Sequence, residues 1–419
     1  MWFLSRSRLR RERLETCVQI ETEPFAPDFG GEKEPHRPLR AVVAIPVRNE
    51  AERIEECLGS LAAQEGLGTS RLRVVLFLNN CTDNTAHVVA ASSHSQRLAI
   101  RVSERVFADA NAGWARREAM EAGAAWLEED GAAADGVILT TDADSRVPAD
   151  WVVRNFAAIA AGVDAVAGRV VLDEADAARL PAALHARGSL EGAYEALLTE
   201  LEAFIDPVPH DPWPRHWTTS GATLAVRLAT YRRVGGMPPL AVGEDKAFVS
   251  SLLSSDARVR HDPDILVVTS GRLDGRAPGG AADTMKLRCE VPESPCDPRL
   301  ESLPRALFRF AWRRRIRRLH ASGRLWRDRF WAPLLGVRPG DVEDIVRLPT
   351  LGATLAAVEA ASPYLAYRPL RPRELLTHIR RATSVLRLLH GLDQVARPGR
   401  MTRTSGELDG VSVEPTSNA

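Results

Sequence analysis

From Leu39 to Leu172, short apolar runs alternate with segments of helical periodicity, and this alternation restricts the chain's fold more than any other feature. Leu39–Val47 reads as a first strand, Leu72–Leu78 as a second, Leu98–Val106 as a third, Val137–Thr141 as a fourth and Ala165–Leu172 as a fifth. Between them the spacing predicts helices over Glu50–Gln64, Ala86–Ala91, Ala112–Leu127 and Ala149–Ala161. In the first of these, Ile54, Leu58, Leu61 and Ala62 share a face. Asn49 with Glu52 three residues on has the form of a capping box. Continuous apolar runs mark strands buried on both faces, and parallel strands need crossovers that helices supply. The expected class is therefore α/β: a mostly parallel sheet with right-handed crossovers and helices on both faces.

In such sheets ligands bind outside the carboxyl ends of the strands. The polar residues collect there. The fourth strand runs into Asp142-Ala143-Asp144, two carboxylates one residue apart. Paired carboxylates at a buried strand end are unfavourable without a cation between them, and a divalent metal with a phosphate-bearing ligand is one candidate. A plain polar turn, with Asp144 and Ser145 capping the next helix, is the other. After the first strand come Pro46, Arg48 and Glu50, at a helix start whose backbone donors suit an anion. Asn79 and Asn80 end the second strand with amides able to pair with a base or ribose, and Asp83 reads as a helix cap. Asn111-Ala112-Gly113 opens a helix carrying Arg116 and Arg117, within reach of phosphates or simply solvated.

The second half adds the extended run Ser220–Val226, then Gly243-Glu244-Asp245-Lys246 at the start of an apolar helix. An Asp there is a cap, or a general base kept ionised by the helix dipole. His261 arrives on a later strand and could complete a metal site, while Arg272 and Arg276 have the chemistry to clamp a pyrophosphate or an anionic acceptor. Pro207–Trp217 reads as an acceptor loop, its Trp217 ring suited to stacking on a sugar face, or as a packed Pro-rich connector.

The ordered set PVRNEAERIEECLGSL, LNNCTDNT, NAGWARREA, TTDADSRVPADW, SGATLAVR, GGM and GEDKAF resembles family 2 glycosyltransferases of the GT-A fold over about Arg40–Arg276. The resemblance implies a Rossmann-like GT-A sheet in which Pro46 and Glu50 border a nucleotide-diphospho-sugar pocket. It implies that Asp142 lies by the ribose and diphosphate, that Asp144 binds Mg²⁺ or Mn²⁺, and that Asp245 of the Glu244-Asp245 pair is the base of an inverting transfer. Two departures stand out. Asn79-Asn80 occupies the place of an acidic base-contacting pair, which leaves the nucleotide open, and Gly113-Trp114 replaces Gly-Lys, so Arg116 or Arg117 must supply that cation. A non-catalytic sugar-nucleotide binding or scaffold protein of the same fold is the alternative.

Composition narrows the partners. Lys plus Arg and Asp plus Glu both number 55, so bulk charge points to no nucleic-acid partner. Five scattered cysteines without a CxxC pair indicate neither a disulfide framework nor a zinc site. No apolar segment reaches the ~20 residues that span a bilayer, and the start lacks a signal-peptide core. A cytoplasmic location is expected, with a peripheral contact at the inner membrane face as an option. That option rests on Pro304–Trp331, where ten arginines surround Phe308, Trp312, Ile316 and Leu319 at helical spacing. Docking of that apolar stripe on the enzyme is the favoured reading. The expected organisation is a polar extension (1–38), a glycosyltransferase domain (39–285), a helical region (286–396) and a disordered tail (397–419).

Overall fold

The computed structural model describes residues 40–108, 111–275 and 279–396. The polar extension, the tail and Arg276 lie outside the described residues. The chain begins with β1 (Ala41–Val47), α1 (Ile54–Ala62), β2 (Leu72–Asn79), α2 (Thr85–Ala91), β3 (Leu98–Arg105) and α3 (Ala112–Glu129). Next come β4 (Val137–Thr140), the two-residue β5 (Ser145–Arg146), α4 (Trp151–Ala160), β6 (Ala165–Leu172), α5 (Glu174–Ala177) and α6 (Ala182–Ile205). Then follow β7 (Leu224–Arg227), α7 (Leu228–Arg233), α8 (Glu244–Ser254) and β8 (Val259–Thr269). The chain closes with α9 (Ala281–Glu290), α10 (Leu303–Ala321), α11 (Trp331–Leu334), α12 (Pro339–Ile345), α13 (Leu351–Ala361) and α14 (Pro372–Ala396).

The eight strands form one sheet in the order β3-β2-β1-β4-β7-β6-β8-β5. β1 to β4 run parallel, β6 and β8 run parallel to each other, and β7 and β5 are antiparallel to their neighbours. The sheet is mostly parallel, as the apolar runs predict. Alternate residues of β1 face opposite layers: Val43, Ile45 and Val47 pack with Ile54, Leu58 and Leu61 of α1, whereas Val42 and Ala44 pack with Ala115, Ala119 and Met120 of α3. Val42 lies so close to Gly123 that a Cβ added there would sit 3.0 Å from its Cγ1, which brings α3 down onto the sheet.

The capping-box reading fails. α1 starts at Ile54, Arg53 precedes it, and no side chain caps it. Asn49 instead adopts a left-handed conformation (φ 55°) and clamps the next strand end, its Oδ1 accepting the Thr82 N–H at 2.8 Å. Asp83 bridges the same two loops, accepting from Thr85 N–H at 3.0 Å and from Ala51 N–H at 3.2 Å.

A third apolar cluster joins Tyr194, Leu198 and Leu201 of α6 to Phe310 of α10 and Leu375, Ala382 and Leu386 of α14. α10 is the arginine-rich segment, and its charges turn toward protein carboxylates. Arg309 pairs with Glu301 at 2.7 Å, Arg313 with Glu359 at 2.6 Å and Arg317 with Asp206 at 3.1 Å. Its Ile316 and Leu319 are buried among Trp331, Leu335 and Val358. The helix thus docks Ile316 and Leu319 on the protein with Trp312 partly buried beside them, whereas Phe308 at the start of the stripe is exposed. Among the described residues no helix is long and apolar enough to cross a membrane.

Candidate active site

Two arginine-centred knots sit where β1, β4, β7 and β8 end. The first is Arg116, buried on α3. Its Nη2 donates to Asp142 Oδ1 at 2.6 Å, its Nε to Glu244 at 3.3 Å, and its Nη1 to Thr140 Oγ1 and the Gly221 carbonyl, both at 3.0 Å. Burial alone would lower its pKa, but the charges of Asp142 and Glu244 hold it above the ordinary value. This guanidinium ties together α3, β4, the turn before β7 and α8. Gly221 is required for it: a Cβ there would fall 2.4 Å from Arg116 Cζ. Gly113 has an equally steric role, since a Cβ on it would meet the Leu240 carbonyl at 2.1 Å and Glu244 Cβ at 2.7 Å.

The second knot is Arg272, just past β8. Its Nη1 donates to Glu50 Oε2 at 2.7 Å and its Nη2 lies 3.1 Å from Asp144 Oδ2, with Glu50 Oε1 also bonded. Burial, then the Asp142 charge, pushes the Asp144 carboxyl up to about 7, against the pull of Arg272. Asp176 holds the segment in place, accepting from Gly271 N–H at 2.9 Å and Ser270 Oγ at 3.1 Å while pairing with Arg53 at 3.0 Å. Asp176 was not foreseeable from sequence, because its partners lie 94 and 95 positions away in a loop without a motif.

Asp245 stands in the first turn of α8. Its Oδ2 accepts the Gly221 N–H at 3.1 Å and its Oδ1 accepts the Lys246 N–H at 2.6 Å. The carboxylate lines a cavity of about 1320 Å³. Asp142, Arg116, Glu244, Trp217 and Arg299 line the same cavity, and α9, α13 and the 297–300 turn close its far side. The Trp217 ring is covered by the Arg299 guanidinium at 4.4 Å, and its carbonyl accepts from the same arginine at 3.4 Å.

Other expected site residues are placed differently. Both ends of the Asn80 amide bind Phe107: Nδ2 donates to its carbonyl at 2.8 Å and Oδ1 accepts its N–H at 3.1 Å. That amide anchors the loop after β3. Asn79 is buried with its Oδ1 unpartnered. The backbone donors expected after β1 are also taken, Glu50 N–H by Thr85 Oγ1 at 2.9 Å and Ala51 N–H by Asp83. Pro46 lies within β1 opposite Phe77, and Arg48 is half-buried with no ion pair among the described residues.

His261 does not join the aspartates. Its Nδ1 lies 3.0 Å from Asp211 Oδ2 and its N–H donates to Asp211 Oδ1 at 2.9 Å. It pairs in register with Ala167, whereas Thr269, beside Ser145, pairs with Leu172. Five residues of β6 separate those positions, roughly 16 Å at strand rise. Among the described residues no group of three His, Cys, Asp or Glu side chains is arranged to hold a metal ion. Asp142 and Asp144 each hold a guanidinium instead. As placed, these residues do not fit a divalent cation.

Solved structures similar to this chain include TarS 1-349 of S. aureus in complex with UDP-GlcNAc, with 18% identity over 57% of this chain and 60% of that one, at a TM-score of 0.40. The chain thus spans about 60% of that protein's length. The mannosyltransferase PcManGT from Pyrobaculum calidifontis, in complex with GDP-Man and Mn2+, is 18% identical over 78% of this chain and 88% of that one, with a TM-score of 0.36. Glucosyl-3-phosphoglycerate synthase from Mycobacterium tuberculosis, with Mn2+, UDP and phosphoglyceric acid, is 16% identical over 55% and 71%, with a TM-score of 0.33. No curated protein matches the chain. The model of glycosyl transferase family 2 matches residues 42–209, the part that carries β1 to β6 and the Asp-X-Asp turn, in line with the resemblance of the sequence motifs.

Proposed function

We propose that the protein transfers a sugar from a nucleotide-diphospho-sugar to an acceptor hydroxyl with inversion, using Asp245 as base. The observation that carries this reading is Asp245, held by the Gly221 N–H at the start of α8, lining a cavity that also reaches Asp142 at the strand ends. The donor's diphosphate lies at the β1, β4 and β8 ends, and the acceptor enters from the side of Trp217 and Arg299. Asp245 takes the acceptor's proton as its oxygen attacks the anomeric carbon, the bond from that carbon to phosphate breaks, and the nucleoside diphosphate leaves. General-base assistance of this kind contributes about 100- to 10,000-fold. Glu244 holds Arg116 and so fixes the floor of the site rather than moving a proton. No step of this proposal is routed through the divalent metal expected from the Asp-X-Asp spacing, because Asp142 and Asp144 pair with arginines.

Incubation with α-linked UDP-, GDP-, dTDP- and ADP-sugars, water serving as acceptor, tests the proposal by proton NMR. One donor is expected to be consumed, releasing nucleoside diphosphate and the β-anomer of the sugar before mutarotation. Release of the α-anomer first would contradict inversion, and consumption of none would overturn the transfer reading.

A further inference from the structure

We infer that Arg272 is the cation that binds the donor's diphosphate, in the position where an Asp-X-Asp turn would otherwise hold a metal ion; the inference rests on the proposed nucleotide-diphospho-sugar chemistry. Three carboxylates, Glu50, Asp142 and Asp144, meet at the ends of β1 and β4, and two guanidinium groups are set among them. The two arginines are not equivalent. Arg116 is buried with all three nitrogens engaged, bonded to Asp142, Glu244, Thr140 and the Gly221 carbonyl. It is a fixed part of the frame. Arg272 is engaged through its two terminal nitrogens only, by Glu50 and Asp144, and keeps about a fifth of its side chain exposed (21%).

The backbone beneath Arg272 is held by hydrogen bonds from two sides. Asp176 bonds both Ser270 and Gly271, and the Arg272 N–H donates to Ser270 Oγ at 3.2 Å. A metal at Asp144 would have to displace a guanidinium held from below by that loop and from the side by Glu50, and would find no third ligand in His261. A diphosphate meets no such obstacle. A planar guanidinium matches phosphate oxygens in paired hydrogen bonds, and it can keep one carboxylate while taking an anion. As the bond from the anomeric carbon to phosphate breaks, negative charge grows on the leaving diphosphate, and a fixed positive group beside it stabilises that charge. Arg272 is then a catalytic residue supplied by the chain itself.

The test titrates UDP, GDP, dTDP and ADP into the full chain by calorimetry, once in EDTA and once in Mn²⁺. The nucleoside diphosphate that binds is expected to do so with the same affinity in both. Arg272→Met is expected to weaken it about tenfold or more in both conditions, the equivalent of one charged hydrogen bond. Arg272→Lys, which keeps the charge but not the fork, should fall between. Should Arg272→Met fail to fold, the wild-type comparison and Arg272→Lys still decide. Binding that requires Mn²⁺, or unchanged affinity in a folded Arg272→Met protein, overturns the inference and leaves the transfer reading standing. Binding of none of the four in either condition overturns both.

Discussion

Asp245→Asn is expected to lower kcat by about 100- to 10,000-fold, the span that a general base supplies, while donor affinity stays close to that of the wild type. The carboxylate accepts two backbone N–H groups, from Gly221 and Lys246, and these fix its direction. An amide in the same place cannot take a proton. Turning its NH2 toward either backbone N–H also loses one of the two bonds. Steady-state kinetics with the identified donor, alongside a donor Kd, separates the two effects. A fall in kcat with an intact Kd is the expected pattern. Wild-type turnover in the variant would remove Asp245 from the chemistry.

Arg116→Met should destabilise the fold by about 3–5 kcal/mol, the usual result of removing one partner from a buried ion pair. The guanidinium is 7% exposed and Glu244 10%, so little water is available to compensate. Methionine fills similar volume but leaves Glu244, Asp142 and the Gly221 carbonyl without their donor. Urea unfolding measures the loss. Adding Asp142→Asn and Glu244→Gln to the variant should recover part of it, because the stranded charges are then gone. A single variant as stable as the wild type would show that the knot does not hold these four elements together.

The sheet was legible because its signal is local. Val137–Thr140, Leu72–Leu78 and Ala41–Val47 are apolar runs too short for helices and flanked by polar turns, and all became adjacent parallel strands. Helix starts were less legible. Asn49 and Glu52 have capping-box spacing, yet Asn49 takes a left-handed conformation to reach Thr82, a contact 33 positions away that no local pattern contains. The same holds at the site. The spacing of Asp142 and Asp144 marks two carboxylates at a strand end, but it does not show what neutralises them. That depends on Arg116, 26 positions before Asp142, and on Arg272, which reaches back to Glu50 across 222 positions. His261 lies on the strand that ends near the aspartates, yet it stands opposite Ala167 of β6, well before that end, and beside Asp211. Asn80 has amide chemistry suited to a base, and the left-handed turn at its own backbone also sets that amide against the Phe107 backbone, a contact 27 positions away.

The central claim is that the crevice at the strand ends binds a nucleotide-diphospho-sugar. Its most direct test is thermal unfolding of the full chain with UDP-, GDP-, dTDP- and ADP-sugars. A ligand at a hundredfold excess over its Kd stabilises the folded state by about 2.7 kcal/mol. The account predicts a saturable rise in Tm with sugars of one nucleotide. A cooperatively folded protein whose Tm is unmoved by all four would contradict it.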